Sequence, residues 1–204
     1  MSFLARVKKD ALIGAAVALW IPAVGLGMAR LWQYSITAGP PGEPPLDWPR
    51  SAPIARLAGR ASLVMFAHPQ CACSRASLGE LALIMAHSRG QLNATVFFYR
   101  PSAEPREWTR TDLWRTAIAI PGVQVFEDRD AEAARSFGVF TSGQTLLYDF
   151  AGRLLFKGGI TAFRGHSGDN AGRSAITALL RREPFEARSV PVSTPVFGCS
   201  LRGE

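Results

Sequence analysis

Apolar and polar positions divide the chain into three kinds of segment. Residues 11–29, ALIGAAVALWIPAVGLGMA, carry no charged side chain. At 1.5 Å rise per residue this run spans roughly 28 Å as a helix, about the hydrocarbon thickness of a bilayer. Pro22 falls inside it, which a membrane helix tolerates because local adjustments satisfy the freed carbonyl. Residues 35–53 come next, with GPPG, PP, Pro49 and Pro53. Such a density of proline favours extended chain, and it predicts a stalk between a membrane helix and a globular domain.

From about residue 54 the periodicity is that of an α/β domain. The short apolar run 63–66 suits a buried strand. In residues 74–88, Ser77, Leu81, Ile84 and Met85 share one helical face. Residues 95–99 form the next strand, stopped by Pro101. A helix is expected over 107–119, where Trp108 and Trp114 do not share a face, so one belongs to the core and the other to the surface. A strand is expected over 123–126, then a short helix over 130–137 with Gly138 at its C-cap. Residues 145–148 and 154–156 flank a turn at 149–152 and read as a hairpin. A last helix is expected over 169–182, N-capped by Asp169 or Asn170. The order β-α-β-α-β-α-β-β-α, with crossover helices first and a hairpin and closing helix last, describes a thioredoxin-like three-layer α/β sandwich. No internal repeat is present.

The expected organisation is therefore a cytoplasmic tip and transmembrane segment over 1–34, a Pro-rich linker over 35–53, a globular domain over 54–188 and a C-terminal tail over 189–204. Arg6, Lys8 and Lys9 precede the apolar run. That asymmetry keeps the N-terminus cytoplasmic and places the domain outside, in the periplasm if the cell is Gram-negative. The competing reading is a cleaved signal peptide, since Gly27-Met28-Ala29 is a small-x-small triplet. The run is longer than a signal sequence needs, which favours an uncleaved anchor through residues 11–29. The net charge of +7 has no basic run interleaved with aromatics, and no nucleic-acid partner is expected. Ser-His-Asp sets, paired carboxylates, HExxH and phosphate-cradling Gly motifs are missing.

The candidate chemistry lies in the cysteines, of which the chain has three. His68-Pro69-Gln70-Cys71-Ala72-Cys73-Ser74 falls between the first strand and the first long helix of the domain. A helix N-terminus presents unpaired N–H groups and a partial positive charge, which stabilise a thiolate. Ser74 is placed to cap that helix through its hydroxyl. As a cation, His68 would lower the pKa of the Cys71 thiol; as a neutral imidazole it would complete a soft metal site with Cys71 and Cys73. His87, at a helix end, reads as structural. Cys199 sits in an apolar tail that should dock on the domain, as a resolving thiol or third ligand, or else as an unpaired terminal thiol. The loop 164–172, RGHSGDNAG, comes after the last strand, which gives it no evident route to the cysteines. It is either a helix-entrance turn or a ligand loop.

Residues 66–74 resemble the strand–Cys-x-x-Cys–helix signature of thioredoxin-like proteins, with Cys71 at the position of the attacking cysteine. The second cysteine comes one residue early, at Cys73, and Ser74 takes its usual place. The small ring of a Cys-x-Cys disulfide is expected to be strained and more readily reduced. Gln144, before Thr145, occupies the position of the family's cis-proline. HPQCACS, GGIT-x-x-RGHSGDNAG and VFGCSL together resemble a group of membrane-anchored thioredoxin-like proteins labelled RedB. That resemblance implies a redox role. The expected function is thiol–disulfide exchange with protein thiols or disulfides of the cell envelope. Cys71 attacks and Cys73 or Cys199 resolves, with His68, Pro69, Ser74, Gln144 and Thr145 in support and no cofactor required. The alternatives are a copper(I) chaperone and a redox-silent docking module.

Overall fold

The computed structural model describes residues 3–57, 59–88, 90–181 and 190–201, with side chains from residue 10. It divides into two units, the first ending at Thr37 and the second beginning at Ala38. The first unit is one helix, α1 (Phe3–Ile36), with Pro22 inside it. Its Asp10–Ile36 portion is long and apolar enough to cross a membrane, and it runs past both ends of the expected segment.

The second unit is built on a mixed sheet of β1 (Ala61–Ala67), β2 (Leu92–Arg100), β3 (Val123–Arg129), β4 (Gln144–Tyr148), β5 (Leu154–Gly159) and β6 (Val192–Ser193), in the order β3-β2-β1-β4-β5-β6. Strands β1, β2 and β3 run parallel, β4 runs antiparallel to β1, and β5 antiparallel to β4. The helices are α2 (Ala72–His87), α3 (Asp112–Ile118), α4 (Glu132–Ser136) and α5 (Ala171–Leu180). This is the thioredoxin-like α/β arrangement, with one strand added by the tail: β6 pairs parallel to β5. The expected end of the last helix at residue 182 and the domain boundary at 188/189 lie outside the described residues.

Side chains on a strand alternate between faces, and β1 sorts its residues accordingly. Leu63 and Met65 join Leu78, Leu81, Ile84, Phe98 and Ile176 in one core cluster, while Val64 and Phe66 join Phe97, Phe137, Leu146 and Tyr148 in another. The second cluster explains a departure from expectation. A mostly parallel sheet needs both faces covered, and α4 is a single short helix. The Pro-rich segment completes the cover. Trp48 meets Phe137 and Tyr148 edge-on at 5.2 Å each. Its backbone N–H donates to Gly152 O at 2.8 Å, and Leu154 N–H donates to Leu46 O at 2.7 Å. From residue 39 onward the segment is therefore part of the globular unit and not a stalk.

The expected helix over 107–119 is interrupted. A 3₁₀ turn at Arg106–Trp108 and α3 are separated by Thr109 to Thr111. Both threonines divert their hydroxyls to backbone carbonyls, Thr109 to Arg106 and Thr111 to Pro69, a competition that disfavours helix. Trp114 is core and Trp108 is only half-buried.

Buried Asp128 at the end of β3 accepts the N–H groups of Ala133 and Ala134 at 2.7 and 3.0 Å, capping α4. Burial outweighs these bonds and pushes its carboxyl up to about 6 from 3.8. A raised acid favours the fold below its unfolded pKa, and that contribution disappears as pH rises through the folded value. The stability of the protein relative to an Asp128→Asn variant should therefore fall between about pH 4 and pH 6. Thermal unfolding of both chains across that window checks this, and a pH-independent difference would contradict it.

Candidate functional site

Strand β1 ends at Ala67, and its carboxyl end delivers the chain to residues 68–71 and the start of α2. Cys71 is the N-cap of α2, with β-region backbone and no side-chain cap. Ser74 does not cap the helix: its Oγ accepts the backbone N–H of His68 at 2.9 Å, closing the turn that carries Cys71. Pro69 is buried, and its carbonyl accepts the Thr111 hydroxyl at 3.0 Å, which ties the turn to the start of α3.

The tail reaches the same end of the sheet. Gly158 and Gly159 of β5 have no Cβ, and one at Gly158 would meet Thr194 at 2.2 Å. Residues 194–196 thus lie directly on the strand, with Thr194 N–H donating to Lys157 O and Gly159 N–H to Pro195 O. Beyond them Thr141 and Ser200 form an antiparallel bridge. Cys199 is the residue between: its N–H donates to Ser142 Oγ, and the Ser142 N–H donates to Cys199 O, each at 2.8 Å.

These elements bring Cys199 Sγ to 2.8 Å from Cys71 Sγ. Cys73 is the next influence on the Cys71 thiol after Cys199, and Ser142 Oγ lies 3.8 Å from the Cys71 sulfur. Cys71 is held far below the usual thiol range, first by the Cys199 thiol, then by that of Cys73, with help from the Ser74 and Cys73 N–H groups. Cys73 and Cys199 are pushed up by their hydrogen bonding with Cys71, by burial and by the Cys71 charge. Arg164 and, for Cys73, the Gly165 N–H oppose that rise. The three thiols titrate as one coupled set, in which these contacts favour the anion at Cys71.

Loop 164–172 corrects an expectation, because it does face the cysteines. Arg164 Nη1 donates to Gly198 O at 2.6 Å, beside Cys199. The loop is fixed from beneath by Glu80, a buried residue of α2. The Glu80 carboxylate accepts Gly168 N–H at 2.8 Å, Asn170 Nδ2 at 3.1 Å and Arg173 Nη1 at 2.6 Å. Asn170 in turn N-caps α5 through Arg173 N–H at 2.7 Å.

The remaining candidates sit apart from the sulfur chemistry. The His68 ring packs against Trp108 and Tyr99 at 5.4 and 5.9 Å, and its Nδ1 accepts Gln70 N–H at 3.2 Å. Burial lowers its pKa, against the pull of the Cys71 charge, which disfavours the cation of the two forms considered from sequence. Among the described residues, no three His, Cys, Asp or Glu side chains are arranged to hold a metal ion. Gln144 is buried and opens β4; neither amide atom of its side chain has a hydrogen-bond partner among the described residues. The turn before it is made by Gly143, in left-handed conformation, whose N–H donates to Phe66 O at 2.6 Å. Thr145 is buried and donates to Gly143 O at 3.3 Å. His87 Nδ1 lies 2.6 Å from Leu83 O, within its own helix. Sequence reasoning gave Ser142, Arg164, Glu80 and Gly198 no role at the cysteines. The one signal was for Arg164, in the three glycines of the loop 164–172.

No protein-family model and no curated protein matches the chain. Among solved structures it is similar to a hypothetical protein of Sinorhizobium meliloti 1021, at 20% identity and TM-score 0.56, covering 82% of this chain and 95% of that one. An uncharacterized conserved protein of Geobacillus kaustophilus is similar at 14% identity and TM-score 0.53, covering 83% and 93%. An exposed lipoprotein thioredoxin of Streptococcus pneumoniae strain TIGR4 aligns at 16% identity and TM-score 0.44, covering 60% and 84%. At these identities the likeness is one of fold.

Proposed function

We propose that this chain is a membrane-anchored thiol–disulfide exchange protein of the cell envelope whose working pair is Cys71 and Cys199. The observation that carries this reading is the 2.8 Å approach of Cys199 Sγ to a Cys71 sulfur at the N-terminus of α2. The pair cycles between two thiols and one disulfide. In the oxidised form it accepts two electrons from a substrate dithiol, which becomes a disulfide. In the reduced form it returns them to a substrate disulfide. No bound cofactor takes part. Cys73 donates a hydrogen bond to the thiolate and serves as a supporting group, in place of the resolving role its spacing suggested. Anchoring rests on α1, with the domain outside the cytoplasm by the charge asymmetry around it.

Copper(I) binding is the second reading, since Cys71 and Cys199 are soft donors held side by side. The set His68, Cys71 and Cys73 is a poor fit, because the His68 ring is engaged with Trp108, Tyr99 and the Gln70 N–H.

The test equilibrates the detergent-solubilised full chain in glutathione buffers of graded potential, then traps the thiols and maps them by mass spectrometry. A reversible Cys71–Cys199 disulfide with a defined midpoint is expected. A Cys71–Cys73 disulfide would restore the pairing suggested by the Cys-x-Cys spacing. Three thiols that stay reduced across the range yet become protected by copper(I) would replace exchange with metal handling. Three thiols that do neither would leave a redox-silent docking module.

A further inference from the structure

Cys71 is the sulfur a thioredoxin-like protein would offer to its substrate, yet it is covered. Its exposure is 5% and that of Cys73 is 6%, while Cys199 remains half-buried at the surface. Cys71 is enclosed by Cys199, Cys73, Ser142 and the first N–H groups of α2. Cys199 stands outermost, on an extended tail clamped by Ser142 and, through Gly198 O, by Arg164. Exposed Phe163 packs against Phe197 of that tail at 6.4 Å and gives the rim an apolar edge.

We infer that Cys199 is the sulfur that forms the mixed disulfide with substrate and that Cys71 is the leaving group behind it. This rests on Cys71 and Cys199 being the working pair. A thiolate attacks a disulfide in line with the bond it breaks, and access decides which sulfur it reaches. Attack on Cys199 has to come from the side away from Cys71, and Cys199 is the one of the two that keeps surface open to solvent. Attack on Cys71 would have to come from the side away from Cys199, where the protein is packed. In the first step a substrate thiolate bonds to Cys199 Sγ, the Cys71–Cys199 bond breaks, and its electron pair stays on Cys71 as a thiolate. In the second step the other substrate thiolate attacks its own sulfur in the mixed disulfide. The substrate leaves as a disulfide, and Cys199 departs as a thiolate and takes a proton from solvent. The substrate has lost two electrons and the pair has gained them; exchange with a low-molecular-weight disulfide restores the oxidised pair. The hydrogen bonds that stabilise a Cys71 thiolate also make it the faster leaving group. The substrate class is a polypeptide dithiol in an extended, accessible segment.

The detergent-solubilised Cys73→Ser full chain, oxidised at Cys71–Cys199, is mixed with glutathione, acid-quenched within milliseconds, alkylated and mapped. Glutathione is expected on Cys199, with the alkyl group on Cys71. Glutathione on Cys71 overturns the inference while leaving the working pair intact; absence of any Cys71–Cys199 disulfide overturns both. A second measurement needs no trapped adduct. The rate constant for reduction of the oxidised pair, per thiolate, is compared between 2-mercaptoethanol and a peptide carrying one cysteine. A fall of about tenfold or less fits an accessible Cys199, and a larger fall means that a buried sulfur is being reached.

Discussion

Replacing Cys199 by serine should abolish the intramolecular disulfide and slow catalysed exchange by about a hundredfold or more, because one step loses a nucleophile held against its target. The Cys71 and Cys199 sulfurs are 2.8 Å apart although 128 positions separate them in sequence. No external thiol matches that proximity at ordinary concentrations. Cys73→Ser should behave differently. A hydroxyl still donates to the Cys71 thiolate, so exchange should fall by about tenfold at most, the worth of part of one charge-assisted hydrogen bond. Cys73→Ala removes the donor and should cost more than Cys73→Ser. The measurement is the rate of glutathione-coupled oxidation of a dithiol peptide by the full chain, with thiol mapping of each variant. The reverse pattern, with Cys73→Ser inactive and Cys199→Ser near the parent rate, would return the chemistry to the Cys-x-Cys pair.

The contrast between those two cysteines marks how far the sequence could be read. Strands β1, β2 and β4 were legible because each carries a short apolar run that is buried almost throughout, and Cys71 was legible because it stands where a strand gives way to a helix. Cys199 was legible only as a possibility. Its place depends on residues 194–196 lying against Gly158 and Gly159, a contact with no local signature beyond the absent side chains. The Pro-rich segment was misread for a related reason. Proline density reports on local stiffness, whereas docking of Trp48 depends on an uncovered sheet face far away in sequence. Glu80 is the plainest omission. On a helix it looks like one more surface carboxylate, and only Gly168 and Asn170 of the loop 164–172, with Arg173 of α5, supply the three donors that make its burial tolerable.

Gly198→Ala separates the position of Cys199 from its chemistry. A Cβ at Gly198 would lie 1.8 Å from the Ser142 carbonyl oxygen and 2.7 Å from its hydroxyl, so backbone must move. Ser142 is also the residue whose N–H and Oγ hold Cys199. The displacement therefore falls on the clamp, one residue from the sulfur. Overpacking of this kind costs about 1–3 kcal/mol, and a local shift at residues 197–199 can relieve it while Leu201 stays packed in its cluster. A misplacement of about 1 Å between reacting groups can cost about a hundredfold in rate. Gly198→Ala should therefore slow closure of the Cys71–Cys199 disulfide by about that factor, with all three thiols still present. Stopped-flow closure of the glutathionylated chain, run beside thermal unfolding, distinguishes the cases. Slow closure with a thermal midpoint only slightly lowered places the effect in the clamp. Closure at the parent rate would mean that the tail presents Cys199 without it, and the Ser142 bonds would then be features of packing alone.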